Sequence, residues 1–346
     1  MALGESGVTF FVGGTGASVA FGALATGAAD FGVTARQPNR IETEALVRGD
    51  LGDLRASPYE AVLAADGLVV ATHPNTAVPQ LTLVQLAQIY RGEIVNWSQV
   101  AGPDQPITAL AREQGSDEKS VFGTAVLDDP QLRFERGTVV VNSSREMRDI
   151  LQSDPFAIEY QWKSQAARLG QVDVSGNCGL ISPVDAFSIK AVDAVMGAQM
   201  YFYSNPKTVT DVGRQFAEFV ASDRASAGLA EVGLLGKEIG RMPLSQLCNA
   251  PDTTGLEAGT AAQIAAQIDF WDRLTVTFRL DDAEQALGPA AQADLSRLVT
   301  YLAALPAGSE TAVVGFTAAA DDFDTSLTAL NAMAKTHRNR ACRACQ

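Results

Sequence analysis

The segment Val8-Thr9-Phe10-Phe11-Val12-Gly13-Gly14-Thr15-Gly16-Ala17-Ser18 decides the fold class. Its first five residues form a short apolar run of β-branched and aromatic side chains, which predicts a buried strand. The glycine-rich loop leads into a run of small apolar residues at 19–24, which predicts a helix, and residues 29–33 predict a second strand. Strand, loop, helix and strand in this order predict a parallel α/β sheet.

The loop at 13–18 is the first candidate anion site. It lies before a helix N-terminus, where free N–H groups and the helix dipole attract anions. Its glycines let the backbone approach a ligand closely, and Thr15 and Ser18 add hydroxyl groups. The loop matches neither the Walker A pattern nor the full dinucleotide fingerprint. A plain tight turn is an equally good interpretation of the loop taken alone.

The second candidate is Arg112-Glu113-Gln114-Gly115-Ser116, which follows a strand predicted at 107–110. It combines a guanidinium fork, a glycine turn and a hydroxyl. A surface salt bridge is the alternative for Arg112, because most arginines are solvated. Ligand sites in open α/β sheets lie beyond the carboxyl ends of strands. Two such loops on separate lobes would face each other across a cleft that closes on its ligand.

Composition and charge exclude several classes of function. The 346-residue chain is long enough for two or three domains and carries a net charge of −14. This charge argues against nucleic acid and anionic membranes as partners, because they require clustered Lys and Arg. No apolar run is long enough to predict a transmembrane helix. The first seven residues lack the basic and apolar regions of a signal peptide.

The sequence shows no motif for catalysis, a metal or a cofactor. Its two histidines, His73 and His337, have no Ser or Cys partner in a recognisable motif, which argues against a catalytic triad and a metal site. The four cysteines fit no complete zinc pattern. A disulfide between Cys178 and Cys248 is plausible only in an oxidising compartment. The four are Cys178, Cys248, Cys342 and Cys345.

Further elements follow from local signals. Thr82 and Gln85 form a capping box that opens a helix, and Gly92 suits the position after its end. Asn142-Ser143-Ser144 can cap a helix over 146–151. Strands are predicted at 66–72 and 200–203, and a helix at 212–220. A turn-rich linker at 249–255 precedes a helix to about 268, a strand at 274–278, a helix at 291–305 and a strand at 311–316.

These segments resemble the PstS-like substrate-binding proteins of phosphate ABC transporters. The resemblance rests on residues 14–18, 28–36, 66–70, 83–92 and 112–116, in this order. It implies an α/β, two-lobed periplasmic-binding-protein fold (type II-like), a non-enzymatic role and a location in the periplasm or cell envelope. Lobe 1 would comprise 1–75 and 183–248, and lobe 2 would comprise 76–182. Residues 249–269 would form a linker and a helix.

The resemblance also implies a ligand and its site. The chain would bind phosphate, or a similar inorganic oxyanion, between the lobes, as the solute-binding component that delivers it to an ABC permease. No cofactor is expected. Carried over with their neighbours, the residues expected to bind phosphate are Thr15, Gly16, Ser18, Thr34, Arg36, Arg112, Ser116 and Asp117.

The chain departs from the family pattern near this site. Ala35 stands where the family often has Asp or Ser, and Thr34 and Arg36 beside it are possible substitutes. Asp117-Glu118 replaces Gly-Thr after Ser116, and carboxylates repel a dianion unless they point away. A further hypothesis is that Asp117 accepts the proton of monohydrogen phosphate and so rejects sulfate. The chain begins at what would be the family's second strand. This start is expected either of a fragment or of a family member that has lost tight binding.

The C-terminal part resembles a divergent, incomplete OmpA-like peptidoglycan-binding domain of α+β type, assigned to 270–346. Val313-Val314-Gly315-Phe316-Thr317 carries the resemblance, although Ala318 stands where that family has Asp. Peptidoglycan would be the partner of this domain.

Two alternatives to phosphate binding stay open. One is a cell-envelope protein with a degenerate anion cleft, and the other is an enzyme acting on phosphoesters, which would need a metal cluster or an activated nucleophile.

Overall fold

The computed structural model describes residues 9–13, 16–56, 58–73, 76, 78, 80–128, 137–166, 170–176, 181, 183–243, 271–276, 289–306 and 308–311. Thr15, His337, all four cysteines, the predicted linker at 249–255 and the helix predicted to end near 268 lie outside these residues. The chain divides into two compact units, Met1–Glu238 and Ile239–Gln346.

One mixed sheet organises the first unit. Six of its strands run in the order β1-β8-β2-β6-β4-β5, and β7 pairs with both β2 and β3. The eight strands are β1 (Phe31–Thr34), β2 (Glu60–Thr72), β3 (Gln80–Thr82), β4 (Thr108–Arg112), β5 (Val139–Val141), β6 (Ala157–Trp162), β7 (Gly170–Ser175) and β8 (Gly197–Ser204).

The long strand β2 holds the sheet together. Its first part, residues 60–67, pairs antiparallel with β8, and its second part, residues 68–72, pairs antiparallel with β6. We call β1, β8 and the first part of β2 the β8 side, and the second part of β2 with β6, β4 and β5 the β6 side. Because β2 belongs to both sides, one continuous strand joins their two hydrogen-bonded ladders, with a register shift between Val62 and Ala64 in the ladder to β8.

Eight α-helices of the first unit lie in the described residues. They are α1 (Ala17–Thr26), α2 (Arg40–Arg48), α3 (Leu83–Tyr90), α4 (Asp117–Phe122), α5 (Ser144–Ser153), α6 (Ala186–Lys190), α7 (Asp211–Ala221) and α8 (Ser226–Glu231). Helix α1 packs on α2 and β1, whereas α4 packs on β4 and β6. Helix α1 therefore belongs to the β8 side and helix α4 to the β6 side.

The predicted helix caps are confirmed. Thr82 and Gln85 form the expected capping box at the start of α3, and Gly92 follows α3 with a φ of +71°. The Ser143 hydroxyl accepts a hydrogen bond from the Glu146 N–H at the start of α5. These caps satisfy helix-end groups that would otherwise lack partners.

Two aromatic clusters anchor the core. On the β6 side the rings of Phe122 and Tyr160 stack at 4.0 Å, and the Tyr90 hydroxyl donates to the Leu110 carbonyl at 3.0 Å. The second cluster lies under α1, where Phe21 meets Tyr203 edge to face at 5.2 Å. Buried aromatic packing thus holds α1 through Phe21 and α4 through Phe122.

The second unit is described only in part. Its strands β9 (Arg241–Pro243) and β10 (Asp272–Leu274) pair antiparallel. Helix α9 (Pro289–Ala303) confirms the helix predicted at 291–305. Most of the strand predicted at 311–316 lies outside the described residues, and the OmpA-like domain stays a prediction. None of the described helices has the length and apolar character that crossing a membrane requires.

The strand predicted at 8–12 is wrong for the residues the structure describes. Residues 9–13 belong to no strand, and the side chains of Phe11 and Val12 are exposed. An apolar run becomes a strand only where a neighbour completes its hydrogen bonds. Here Phe10 packs on the ring of Phe216 instead, at 4.9 Å. The parallel sheet predicted from this segment is wrong in part, because the sheet is mixed. Strand β1 pairs antiparallel with β8, whereas β4 pairs parallel with both β5 and β6.

A carboxyl group is buried in strand β6. Glu159 and Gln161 are both fully buried, and the Gln161 amide donates to Glu159 Oε1 at 2.5 Å. Glu159 Oε2 has no hydrogen-bond partner among the described residues. Burial raises the pKa of Glu159 to about 7, although the charge of Arg148 and the Gln161 amide oppose the rise. A carboxyl in this environment prefers to be neutral.

This burial predicts a pH-dependent stability. The folded chain keeps a proton that the unfolded chain releases between about pH 4.5 and 7, so stability falls as pH rises through this window. The loss is on the order of 3 kcal/mol at about 1.4 kcal/mol per pKa unit. Urea unfolding at pH 5 and pH 8 should show this fall in the wild type and not in Glu159→Gln. The exposed control Glu93→Gln should behave like the wild type, and identical profiles for all three proteins would contradict the prediction.

Candidate functional site

A cavity of about 340 Å³ lies between the N-terminus of α1 and the loops that follow β4 and β5. Gly16 comes from the β8 side, and the other lining residues come from the β6 side. The lining residues are Gly16, Arg112, Glu113, Ser116, Asp117, Glu118, Asn142, Ser143, Ser144 and Trp162. The structure thus brings together four of the predicted site residues, Gly16, Arg112, Ser116 and Asp117.

The loop after β4 is shaped by its own hydrogen bonds. Gly115 has a φ of +95°, a conformation that favours glycine, and it turns the chain into α4. The Ser116 hydroxyl donates to the Glu113 carbonyl at 3.0 Å and accepts from the Lys119 N–H at 3.2 Å. Ser116 therefore caps α4 and closes the turn, and its buried hydroxyl is held at the cavity wall.

Arg112 ends β4 and is buried between two carboxylates. Its Nη1 donates to Glu118 Oε1 at 2.8 Å and to the Ser144 hydroxyl at 2.9 Å. Its Nε and Nη2 both donate to the Glu113 carboxylate at 3.2 Å. Burial by itself lowers the pKa of Arg112, but the hydrogen bond to Glu113 and the charges of Glu118 and Glu113 outweigh it and raise that pKa. The surface salt bridge that was the alternative for Arg112 is not what the structure shows.

The electrostatics of the cavity combine one cation with three carboxylates. Arg112 is the cation, and Glu113, Asp117 and Glu118 are the carboxylates. Burial raises the pKa of Glu118, and the nearby Arg112 charge partly offsets this rise. Protonation of a carboxylate here would reduce repulsion of an anion, since buried acids favour their neutral form.

The two sides of the cavity meet at glycines. Gly16 precedes α1 with a φ of +78° and offers no side chain to cap it. A Cβ atom at Gly16 would lie 1.9 Å from the Gly115 carbonyl oxygen, which is an overlap of atoms. Only glycine therefore permits the close approach of the two loops.

Asp117 crosses between the two sides. Its Oδ1 accepts from the Ala17 N–H and its Oδ2 from the Ala35 N–H, each at 3.0 Å. Ala17 is the first residue of α1, where the helix dipole favours negative charge. Burial raises the pKa of Asp117, while the amides of Ala35 and Ala17 and the charge of Arg36 lower it. The predicted role of Asp117 as acceptor of a phosphate proton stays a prediction.

Three predicted site residues lie in a neighbouring cluster and do not line the cavity. Arg36 binds Glu42 through both terminal nitrogens, at 2.6 and 2.8 Å, and its Nη2 also donates to the Ser18 hydroxyl at 3.3 Å. Thr34 donates to the Arg36 carbonyl at 2.7 Å. The cluster pins the chain after β1 to α2. Thr15 lies outside the described residues.

Several lining residues were not predicted from the sequence as site residues. Asn142, Ser143 and Ser144 were recognised only as a helix cap, yet they border the cavity at the start of α5. Their signal was available, since a polar cluster follows a strand and opens a helix, as at the first two loops. Glu113 lies within the second candidate loop, although no role was predicted for it. Trp162 carries no such signal, because only tertiary packing brings it to the cavity.

No cluster of three or more potential metal ligands, counting His, Cys, Asp and Glu, occurs in the described part of the chain. The donors that the cavity presents are a guanidinium, hydroxyls and the start of α1. Such donors bind the oxygen atoms of anions by charge-assisted hydrogen bonds.

Comparisons with known proteins agree with this architecture. The phosphate-binding protein PstS of Borreliella burgdorferi is 25% identical over 209 residues, which are 57% of this chain and 74% of that protein. A crystal structure from Clostridium perfringens, assigned as a phosphate ABC transporter substrate-binding protein with bound phosphate, aligns with a TM-score of 0.58. It is 23% identical and the alignment covers 67% of this chain and 89% of that one.

An ABC-type phosphate transport receptor from Vibrio cholerae has the same fold. It aligns with a TM-score of 0.54 at 21% identity, over 67% of this chain and 90% of that chain. Residues 4–224 match the family model described as the PBP superfamily domain. Because this match spans more than half of the 346 residues, the chain belongs to the PBP superfamily.

Proposed function

We propose that this protein binds inorganic phosphate in the cavity between the β8 and β6 sides, as the solute-binding component of a phosphate ABC transport system. One observation carries the proposal. The N-terminus of α1 faces Arg112 and Ser116 across a single cavity, and its first N–H already holds a carboxylate. Relatives named for phosphate binding and transport support the same ligand.

The chemistry of these groups suits an oxyanion. A helix N-terminus offers N–H donors and a favourable dipole. The guanidinium of Arg112 suits an anion with two oxygens, and phosphate would take over hydrogen bonds that Glu113 and Glu118 now accept. The Ser116 hydroxyl now donates to the Glu113 carbonyl, and it would contact phosphate by exchanging this hydrogen bond. In this proposal the start of α1 at Gly16 and Ala17, together with Arg112 and Ser116, contacts phosphate. Ser144 holds Arg112 in place through the hydrogen bond at 2.9 Å.

The role of the remaining predicted residues follows from their contacts. Ser18, Thr34 and Arg36 support the loop after β1, because none of the three lines the cavity and Arg36 binds Glu42 and Ser18. Delivery of phosphate to an ABC permease, in the periplasm or cell envelope, belongs to the same proposal. The proposal involves binding and release alone, without catalysis.

A second candidate is a cell-envelope protein whose cavity no longer retains an anion. The observation that favours it is the excess of carboxylates, three against one arginine. Like charges repel a dianion and lower its affinity. Titration with phosphate separates the candidates, because a degenerate cavity would give no measurable heat of binding.

The first prediction of this proposal concerns Arg112. A charge-assisted hydrogen bond contributes about 1.5–3 kcal/mol. Isothermal titration with phosphate should therefore show affinity about tenfold to a hundredfold weaker in Arg112→Ala. Arg112→Lys keeps the charge but loses the fork, so we expect an intermediate affinity.

The matched control is Arg40→Ala, since the Arg40 side chain is exposed and pairs with Glu44 one helical turn away. Arg40→Ala should bind phosphate like the wild type. Circular dichroism should confirm that each variant is folded, because Arg112→Ala leaves Glu118 buried without its partner. Equal affinities of wild type, Arg112→Ala and Arg112→Lys would remove Arg112 from the site.

The second prediction uses the close approach at Gly16. A methyl group at this position would overlap the Gly115 carbonyl, so Gly16→Ala should prevent the two loops from meeting and abolish phosphate binding. Gly22→Ala is the control within the same helix, since a Cβ atom there meets nothing within 4 Å. It should keep the wild-type affinity and gain up to about 1 kcal/mol of helix stability. Wild-type affinity in Gly16→Ala would show that binding does not need this contact.

A further inference from the structure

We infer that Asp117 is an internal ligand of this cavity, whose carboxylate ties the β8 side to the β6 side and competes with phosphate for the N–H groups of Ala17 and Ala35. The competition rests on the proposed function, whereas the tie between the two sides does not. Asp117 opens α4 on the β6 side, and both of its amide partners belong to the β8 side.

The two hydrogen bonds define a small anion receptor. Ala17 begins α1 and Ala35 follows β1, so the donors come from two different elements of the β8 side. Each N–H lies 3.0 Å from a different carboxylate oxygen, which makes the contact bidentate. Ala17 is fully buried and Ala35 nearly so. Two buried amides at a helix N-terminus suit any oxyanion with two adjacent oxygens.

The contact is not explained as a cap of α4 itself. Acidic residues often occupy the first turn of a helix because they complement its dipole. In α4, however, Ser116 is the capping residue, and it already accepts the Lys119 N–H. The two oxygens of Asp117 instead accept from the first residue of α1 and from the residue that follows β1. The carboxylate therefore stabilises the junction between the two sides rather than its own helix.

The neighbouring loops reinforce the junction. Gly16, which directly precedes Ala17, lies against the carbonyl of Gly115, two residues before Asp117. The charge of Arg36 on the β8 side also attracts the Asp117 carboxylate, while that of Glu42 repels it. The Asp117 carboxylate thus joins the two sides, as a bound anion joins the two lobes of a cleft that closes on it.

A phosphate that uses the Ala17 amide cannot share it with Asp117. One N–H group makes one strong hydrogen bond, and phosphate and carboxylate repel each other at contact distance. Entry of phosphate thus requires Asp117 to leave the two amides. Removing its carboxylate should strengthen phosphate binding, whereas removing a carboxylate that only receives a phosphate proton should weaken it.

The tie is tested without phosphate by hydrogen exchange, measured by NMR in phosphate-free buffer. The amides of Ala17 and Ala35 should exchange at least tenfold faster in Asp117→Ala than in the wild type. Asp117→Asn retains one acceptor oxygen, so it should give a smaller increase in the exchange rate of these amides. This second variant keeps the test valid if Asp117→Ala does not fold. Glu93→Ala, at an exposed carboxylate on the β6 side, should exchange like the wild type. Unchanged exchange of both amides in Asp117→Ala and Asp117→Asn would overturn the inference.

The competition is tested by titrating the same proteins with phosphate. Asp117→Ala should bind at least tenfold more tightly than the wild type, and phosphate should restore the protection of the Ala17 amide. Equal or weaker binding by Asp117→Ala would overturn the competition. If the amides are released in Asp117→Ala but neither protein binds phosphate, the proposed function fails while the tie between the sides stands.

Discussion

The structure depends on one strand that serves two sides of a sheet. Residues 60–67 of β2 pair with β8 and residues 68–72 pair with β6, so a single run of backbone fixes both sides. Helix α1 packs on the first side and α4 on the second. Their N-termini are thereby brought to the same cavity. The geometry of the site is a consequence of strand pairing, and the side chains at the cavity act within that frame.

The buried charged groups at the cavity are stabilised in two different ways. Arg112 is enclosed by Glu113 and Glu118, so it is buried without being unpaired. Such a network holds the guanidinium rigidly, but it also means that an incoming anion shares Arg112 with its carboxylates. Asp117 meets backbone amides rather than a cation. The cation Arg112 therefore stabilises the carboxylates of Glu113 and Glu118, and the N-terminus of α1 stabilises the carboxylate of Asp117.

Helix caps and tight turns could be predicted from the sequence, because each depends on one or two residues and their near neighbours in the chain. Thr82 and Gly92 bound α3 as expected, because capping and left-handed turns depend on a few neighbouring atoms. Residues 9–12, the described part of the strand predicted at 8–12, form no strand, since strand formation depends on a partner elsewhere in the chain. The contacts of Asp117 could not be predicted either. Its partners are backbone N–H groups, such as that of Ala35, and these leave no mark in the sequence.

The central claim is that an oxyanion binds between the two sides at the donors that now hold Asp117. A crystal structure of the protein grown with saturating phosphate tests it most directly. The account predicts phosphate oxygens within hydrogen-bond distance of the Ala17 N–H, Arg112 and Ser116, with the Asp117 carboxylate turned away from Ala17. Phosphate bound elsewhere, or Asp117 still on both amides beside a bound phosphate, would contradict it.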